Sequence, residues 1–500
     1  GASLCPTGMI FGDSFKDWQT YFNNGLLILV QPKTGEELQY LLDVGTQDRF
    51  TIPRIHAINS ILIIELKDQL IALDLFHANL SQQDGQLWSV GFTKEILEPQ
   101  VAGRGRSNII ERNSWGLVVQ KKGFRVVDVS RWGVVVHSED ELLSIHPLFG
   151  TRQWTLQGFR NATIASKEGF IYSLDPANSK IAKIDTRDGA QVETLDTDLE
   201  GWTPLTMIAG RWVLQPGRQP NGDQASRMKL RLVEPTTGQT LLSADHTVDT
   251  RLAIAGETGL IALRPDGSMT YWNAANATEH KGEVEVEGKF TSLSAQVFGD
   301  LALVLPHAGS MELDSVQVSP PMRTDPNYAG CAGRLFAIRL DDGSLAWDKA
   351  QRVKHFLFPV HQNRSSPTAV FLRRLTLKNV RGMPLDFTSL ALIDVRTGKL
   401  LYQKHDLPAA RGDNFRQVLI PNQNLMTIKL YGNLFQITWT DGVLDSSNPS
   451  ESSGELAIGE LDLDKFKASA EELADKIKNG EPIPGLPPEN NGNLDPPIPR

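Results

Sequence analysis

The residues best suited to binding lie in a long stretch between predicted strands, 306–333. Met311, Met322 and Tyr328 lie in this stretch, together with two adjacent prolines and one of the two cysteines. A connection this long in a compact domain is usually either functional or irregular. The stretch is therefore predicted to bind a partner, and a purely decorative insertion is the alternative.

Two further loops carry clustered positive charge. Arg104 and Arg106 lie in the stretch 101–112, and Arg218 and Arg227 lie in the stretch 211–229. Guanidinium groups bind carboxylates through paired hydrogen bonds, so these loops could hold an acidic partner. Solvated surface charge is the commoner role of such residues and stays open as the alternative.

No spacing of residues matches a catalytic motif. The ten histidines are scattered without a His-Glu-x-x-His pair, and neither a Gly-x-Ser-x-Gly elbow nor a phosphate-binding Gly-x-x-x-x-Gly-Lys-Ser/Thr loop is present. A carboxylate pair for acid–base chemistry cannot be chosen from 59 acidic residues without geometry. The sequence therefore predicts no catalytic residue, no metal ligand and no cofactor.

Two cysteines are too few for a disulfide scaffold, and they are not clustered as in a structural zinc site. Cys5 and Cys331 could form one bridge that ties the amino-terminal segment to the stretch 306–333. Two free thiols are the alternative.

Length and composition indicate a globular protein with a large core. The chain has 500 residues, of which 40% are hydrophobic and 22% charged, and its net charge of −9 argues against nucleic acid or an anionic membrane surface as a partner. No apolar run approaches the roughly 18 residues that a membrane span requires. Because the chain does not begin with Met, it is expected to be a processed form or part of a longer polypeptide.

A hairpin pattern recurs along the chain, and its best copy is 333–347. A run of strand-forming residues leads to Asp341-Asp342-Gly343, where glycine allows a positive φ, and a second run ends at Trp347. A large ring at a fixed offset from the turn can wedge against the neighbouring hairpin. Weaker copies lie at 26–44, 70–90, 142–156, 181–195, 230–244, 260–286 and 390–403.

These eight copies, with further strand-like runs between them, predict an all-β fold. Repeats that cannot bury both faces alone predict radially arranged four-stranded antiparallel sheets, and hence an eight-bladed β-propeller. Strands beyond the eighth hairpin could join the first hairpin in one blade, so that the amino- and carboxy-terminal segments close the ring.

The remaining segments surround this propeller. Leu463, Phe466, Ala470, Leu473 and Ile477 follow helical spacing and predict an amphipathic helix, and residues 14–22 could form a short helix. The predicted organisation is an amino-terminal segment at 1–25, the propeller at 26–442, a linker at 443–459, the helix at 460–480 and a proline-rich tail at 481–500.

The repeat resembles that of the pyrroloquinoline-quinone (PQQ) type propellers, Ala-x-Asp-x-x-Thr-Gly-x-x-x-Trp. The closest matches are Ala337, Asp342, Gly343 and Trp347 in one copy and Asp394, Thr397, Gly398 and Tyr402 in another. The resemblance covers roughly residues 26–442. It implies the fold and not an activity, because the family includes quinone-dependent dehydrogenases and a non-catalytic, BamB-like branch.

For the dehydrogenases, the resemblance would imply a quinone stacked on a tryptophan, often beside a disulfide between adjacent cysteines, with calcium held by acidic and amide side chains. The chain has no adjacent cysteines, and no set of calcium ligands can be assigned. Trp88, Trp154 and Trp347 stand at repeat positions, where a structural wedge is expected.

The leading hypothesis is therefore a non-catalytic, BamB-like propeller that binds other proteins through its loops and faces. An exported protein is expected, in the periplasm, in the cell envelope or secreted. A PQQ-dependent dehydrogenase and a propeller that binds glycans or peptides are the alternatives.

Overall fold

The computed structural model describes most of the predicted repeat region. The described residues are 5–6, 19–23, 26–31, 37–42, 54–66, 69–75, 85–92, 110–112, 115, 118–120, 124–138, 140–160, 162–175, 177–217, 227–287, 290–307, 317–318, 328–359, 362, 365–378, 384–408, 416–420, 424–430, 433–438 and 472.

The described strands include six four-stranded antiparallel sheets, each formed by consecutive strands. Sheet 1 contains β1 (Cys5–Pro6), β2 (Gln19–Asn23), β3 (Leu26–Val30) and β4 (Glu37–Leu41). Sheet 2 contains β5 (Arg54–Ile58), β6 (Ile61–Glu65), β7 (Gln69–Asp74) and β8 (Gln86–Gly91). Sheet 3 contains β11 (Phe124–Val129), β12 (Val134–Ser138), β13 (Glu141–Ile145) and β14 (Arg152–Gln157).

The next three sheets repeat this order. Sheet 4 contains β15 (Thr163–Lys167), β16 (Phe170–Asp175), β17 (Lys180–Asp185) and β18 (Gln191–Asp196). Sheet 5 contains β19 (Trp202–Ile208), β20 (Arg211–Pro216), β21 (Arg227–Val233) and β22 (Thr240–Thr247). Sheet 6 contains β23 (Arg251–Ala255), β24 (Gly259–Leu263), β25 (Ser268–Asn273) and β26 (Thr278–Glu283).

Three other groups of strands complete the described part. The inserted hairpin, between sheets 2 and 3 in the chain, consists of β9 (Ile110–Arg112) and β10 (Val118–Gln120). The large sheet contains β27 (Ser292–Phe298), β28 (Leu301–His307), β29 (Gln317–Val318), β30 (Tyr328–Arg339), β31 (Gln351–Pro359), β32 (Thr368–Lys378), β33 (Pro384–Asp394) and β34 (Leu400–Pro408). The last sheet contains β35 (Arg416–Ile420), β36 (Leu425–Leu430) and β37 (Asn433–Thr438).

Successive sheets pack face to face, so that inner strands are buried on both sides. In β6, Leu62 and Ile64 belong to a core shared with sheet 1, whereas Ile61 and Ile63 belong to a core shared with sheet 3. Side chains alternate between the two faces of a strand, and a run of aliphatic residues therefore fills both interfaces. Similar buried cores join the later sheets in chain order, as expected of the blades of a β-propeller.

The three tryptophans predicted to wedge between repeats do so. Each donates its indole N–H to a backbone carbonyl in the turn of a following hairpin: Trp88 to Pro147 at 2.8 Å, Trp154 to Thr186 at 3.1 Å and Trp347 to Val395 at 2.8 Å. Each ring also lies directly against the glycine of that turn. The predicted role of the repeat aromatics is thus confirmed.

The hairpin at 333–347 is shorter than predicted. Its second strand is reduced to a single bridge between Ile338 and Leu345. The cause is competition for one strand edge, because β31 pairs with β30 as far as Leu335 and leaves only the end of β30 free. The seventh and eighth predicted hairpins consequently share the large sheet instead of forming two separate sheets.

The two chain ends do not share a sheet among the described strands. Sheet 1 is completed by β1 and β2, which both precede the first predicted hairpin, and the last sheet is separate. The short helix expected at 14–22 is replaced from Gln19 onward by β2. Thr20, Tyr21 and Phe22 favour strands, and pairing with β3 stabilises them in that state.

The predicted segments at 443–459 and 481–500 lie outside the described residues. Within the predicted helix 460–480, Glu472 is described and has helical backbone conformation, so the helix itself stays a prediction. In the part of the chain that is described, no helix has the length and apolar character needed to cross a membrane.

Candidate functional site

The connection 218–226 contains the predicted site residue Arg218. The described chain resumes after it at Arg227, near the start of sheet 6. Arg227, the first residue of β21, is paired with Thr247 at the end of β22. Thr250 donates its N–H to the Thr247 carbonyl at 3.0 Å, immediately before β23 begins. The connection therefore ends where the first strand of sheet 6 starts.

The connection 308–327 leaves the large sheet at the same end. Arg251, the first residue of β23, donates through Nε to the Thr291 carbonyl at 3.1 Å. Thr291 in turn donates its N–H to the carbonyl of His307, the last residue of β28, at 2.8 Å. We call this end of sheets 5 and 6 and of the large sheet, marked by Arg227, Arg251 and His307, the loop face.

The connection between sheets 2 and 3 reaches the loop face through the inserted hairpin. Trp115, between β9 and β10, is fully buried between sheets 5 and 6. Its carbonyl accepts the N–H of Leu252 at 3.0 Å, and its indole N–H donates to Gln215 Oε1 at 2.6 Å. The sequence does not indicate this anchor, because nothing local distinguishes Trp115 from a strand residue of sheet 3.

The structure locates some of the predicted site residues. The backbone of Arg227 begins β21 on the loop face, and the backbone of Tyr328 begins β30, directly after the connection 308–327. Arg104, Arg106, Arg218, Met311 and Met322 lie outside the described residues, and their role in binding stays a prediction.

Cys331 is a free thiol in the structure and does not form the bridge to Cys5 that the sequence left open. Its side chain is fully buried in a core with Leu305, Phe356 and Phe358. Burial raises the pKa of this thiol well above its ordinary value, because the thiolate would lose its hydration. Cys331 is therefore part of the core.

A groove of about 810 Å³ lies between sheets 5 and 6. Four cationic side chains and two anionic ones line it: Lys229, Arg231, Arg264 and Lys281, against Asp245 and Glu283. The lining thus has a formal charge of about +2 (four minus two), in a chain whose net charge is −9. Cations therefore outnumber anions in the lining itself, before the carboxylates that pair with them from outside the lining are counted.

Two of the four cations already have partners. Arg231 lies over the ring of Trp202 at 4.2 Å and is 3.4 Å from Asp198. Lys281 forms an ion pair with Glu279 at 3.0 Å. Within the described part of the chain, the other two, Lys229 and Arg264, form no ion pair.

His246 forms part of the groove wall and contacts the inserted hairpin. His246 is buried, and its ring meets Trp115 edge to face at a centroid distance of 6.0 Å. Burial, assisted by the positive charge of Arg264, lowers the pKa of His246 to about 4. The imidazole is therefore neutral near pH 7 and adds no charge to the groove.

A second polar cluster joins the inner strands of sheets 2 to 4. His56 lies 3.5 Å from the buried carboxylate of Glu65, and Ser166 donates to Asp128 at 2.5 Å. Arg125 donates to the Ile164 carbonyl at 3.2 Å. Burial raises the pKa of Asp128 and lowers that of Arg125. The His56–Glu65 contact lies within sheet 2, whereas the Ser166–Asp128 and Arg125–Ile164 hydrogen bonds join sheets 3 and 4.

No group of three or more His, Cys, Asp or Glu side chains among the described residues is arranged to hold a metal ion. What the described geometry offers is a positively charged groove beside three long connections. Its chemistry is non-covalent recognition of negative charge.

No protein-family model matches the chain. No curated protein matches its sequence. Among solved structures, Hsv2 of Kluyveromyces lactis is similar with a TM-score of 0.37 and 8% identity, covering 71% of this chain and 99% of that one. Sqt1 of Saccharomyces cerevisiae has a TM-score of 0.37 and 11% identity, covering 79% and 97%.

The computationally designed Ika8 protein has a TM-score of 0.34 and 11% identity, covering 88% of this chain and 98% of that one. Similarities of this extent decide neither fold nor function.

Proposed function

We propose that the chain is a non-catalytic β-propeller scaffold that binds other proteins through its loop face. The observation that carries the proposal is the asymmetry of sheets 5 and 6 and the large sheet. Two long connections leave and re-enter these sheets at the loop face, and the connection between sheets 2 and 3 contacts it through Trp115, whereas short turns at 209–210, 256–258 and 299–300 close the opposite end. Binding residues are found disproportionately on loops held by a rigid scaffold.

In its finer form, the proposal is an eight-bladed ring of the PQQ-like repeat type, related to the BamB-like branch and acting in the periplasm, in the cell envelope or outside the cell. Eight hairpin copies in the sequence support the number of blades. The last sheet contains no hairpin copy and, in this eight-bladed ring, would not count as a blade of its own.

Site-specific photo-crosslinking tests which face binds. A photoreactive phenylalanine analogue replaces Val248, which is 51% exposed on the loop face, or Phe149, which is 69% exposed in a hairpin turn of sheet 3 at the end opposite to the loop face. In extracts of the host, we expect a discrete crosslinked protein from position 248 and none from position 149. Crosslinks from position 149 alone, or from neither position, would overturn the proposal.

A second measurement tests the non-catalytic part. The purified chain is titrated with pyrroloquinoline quinone in the presence of calcium, and quinone absorbance and alcohol oxidation are followed. We expect no stoichiometric binding and no turnover. Stoichiometric binding with turnover would instead establish a dehydrogenase.

A further inference from the structure

We propose that the groove between sheets 5 and 6 binds an extended acidic peptide whose carboxylates occupy alternate positions. The inference rests on the proposed function and adds the chemistry of the partner segment. The charge of the groove, the spacing of its cations and their state of pairing all fit such a segment.

The first observation is that two cationic side chains of the groove have no ion pair among the described residues. Lys229 on sheet 5 and Arg264 on sheet 6 lie on opposite walls of the groove, and neither has an ion-pair partner within the described part of the chain. The Arg264 side chain is half-buried. A partly buried cation is stabilised by an anion that enters from solvent, because screening is weaker there than on an open surface.

The second step is the spacing along β21. Lys229 and Arg231 are two residues apart in this strand and both line the groove. Residues two apart on one face of a strand lie about 6.6 to 6.8 Å from each other. An extended peptide has the same repeat, so its acidic side chains at positions i and i+2 match these two cations.

The third step separates a peptide from a single small anion. Two carboxylates of an extended peptide can each meet one of Lys229 and Arg231 at the spacing of the strand, whereas a single phosphate would have to draw both side chains to one point. The Arg231 to Asp198 contact is an exposed pair, since the Asp198 side chain is 74% exposed, and such pairs contribute little. A peptide carboxylate can therefore replace Asp198 at small cost.

The test measures fluorescence anisotropy of a labelled peptide, Gly-Glu-Ser-Glu-Ser-Glu-Gly, with the full chain. The comparison peptide, Gly-Glu-Glu-Ser-Ser-Glu-Gly, has the same composition and charge, but no two of its glutamates are two residues apart. We expect the alternating peptide to bind about tenfold more tightly, and Lys229→Gln/Arg264→Gln to weaken it about tenfold. Equal binding of the two peptides, or an unchanged affinity in the double variant, would overturn the inference.

A matched variant controls for loss of charge. Arg152→Gln/Lys399→Gln removes two exposed cations from sheet 3 and from the large sheet, outside the groove, and should leave the affinity unchanged. Inorganic phosphate is the second arm, and displacement of the peptide by phosphate at equal concentration would show a simple anion site instead. Crosslinking at position 248 is independent of this assay, so the scaffold proposal can hold even if the peptide fails to bind.

Discussion

At the scale of single residues, the contact between Trp347 and Gly398 shows why the repeat keeps an aromatic and a glycine. Gly398 has a φ of 73°, and an added Cβ would lie 2.7 Å from the Trp347 ring. A side chain there would therefore meet both backbone strain and a clash. The ring and the glycine fit only as a pair.

A double-mutant cycle tests this pairing. We expect Trp347→Ala to destabilise the fold by about 3 to 5 kcal/mol through loss of a buried ring, and Gly398→Ala by about 1 to 3 kcal/mol. In the Trp347→Ala background, Gly398→Ala should cost less, because the clash is gone. Urea unfolding measures each free energy.

Gly158→Ala is the matched control for the cycle. Gly158 has a φ of 92°, but nothing lies within 4 Å of an added Cβ, so this variant reports backbone strain alone. If Gly398→Ala costs no more than Gly158→Ala, the wedge contact does not restrict the turn.

His246 makes stability depend on pH. Its folded-state pKa is lowered from 6.5 to about 4, mainly by burial, so below pH 6.5 the unfolded chain binds a proton that the folded chain does not. Stability should therefore fall as the pH drops from 6.5 towards 4 and lose at most about 3 kcal/mol from this group.

The check compares urea midpoints of the parent chain and of His246→Gln across this pH window. Glutamine stays neutral, and the variant should lose part of the pH dependence. Parallel curves for the two proteins would show that His246 does not contribute.

At the scale of elements, the inserted hairpin is the feature that departs most from a regular repeat. Its Trp115 fills the interface of sheets 5 and 6, although sheets 2 and 3 flank it in the chain. The buried ring packs between the two sheets, its indole N–H donates to Gln215 of sheet 5, and the Trp115 backbone carbonyl accepts the Leu252 N–H of sheet 6.

We expect Trp115→Ala to destabilise the protein by about 3 to 5 kcal/mol and to leave Gln215 without its donor. Hydrogen exchange should rise at the Leu252 amide, which bonds to the Trp115 carbonyl. Trp132→Ala is the control, because that ring is 49% exposed and its removal should change stability little. Normal exchange at Leu252 in Trp115→Ala would contradict an anchoring role.

The elements that sequence reasoning predicted well are those fixed by local chemistry. The sixth repeat is an example, since the strand at 270–273 and the turn near Asn276 appear as β25, a turn and β26. The shortened hairpin at 333–347 was not predictable, because β31 pairs with most of the β30 edge that the second strand of this hairpin would occupy. Sequence patterns do not rank competing long-range pairings.

The groove was only partly predictable. The positive charge of the stretch 211–229 predicts a binding loop, and Lys229 from this stretch lines the groove. The sequence does not mark Arg264 or Lys281 as site residues, because each is a single cation in an ordinary strand or turn. Only the packing of sheet 5 on sheet 6 brings them to the same site.

At the scale of the whole molecule, the sheets form a series in which each core is shared by two neighbours. Stability in such a series comes from nearest-neighbour interfaces, and an open series leaves two unpaired ends. Ring closure removes those ends and is the reason to expect a closed propeller.

The number of blades can be checked directly. Electron cryomicroscopy class averages viewed along the ring axis should show eight lobes in a closed ring. Nine lobes would mean that the last sheet forms a blade of its own, and an open arc would mean that the chain ends do not meet. Either image would refute the eight-bladed closure.

The inserted hairpin also affects the order in which the chain can mature during synthesis. Trp115 emerges from the ribosome 100 residues before Gln215, the side chain to which it bonds. Until sheets 5 and 6 have been translated, this indole has no site and is exposed to chaperones and proteases. The nascent chain therefore carries an unfinished contact until sheets 5 and 6 are made, and in a product truncated before residue 252 the Trp115 side chain would lack part of its binding site.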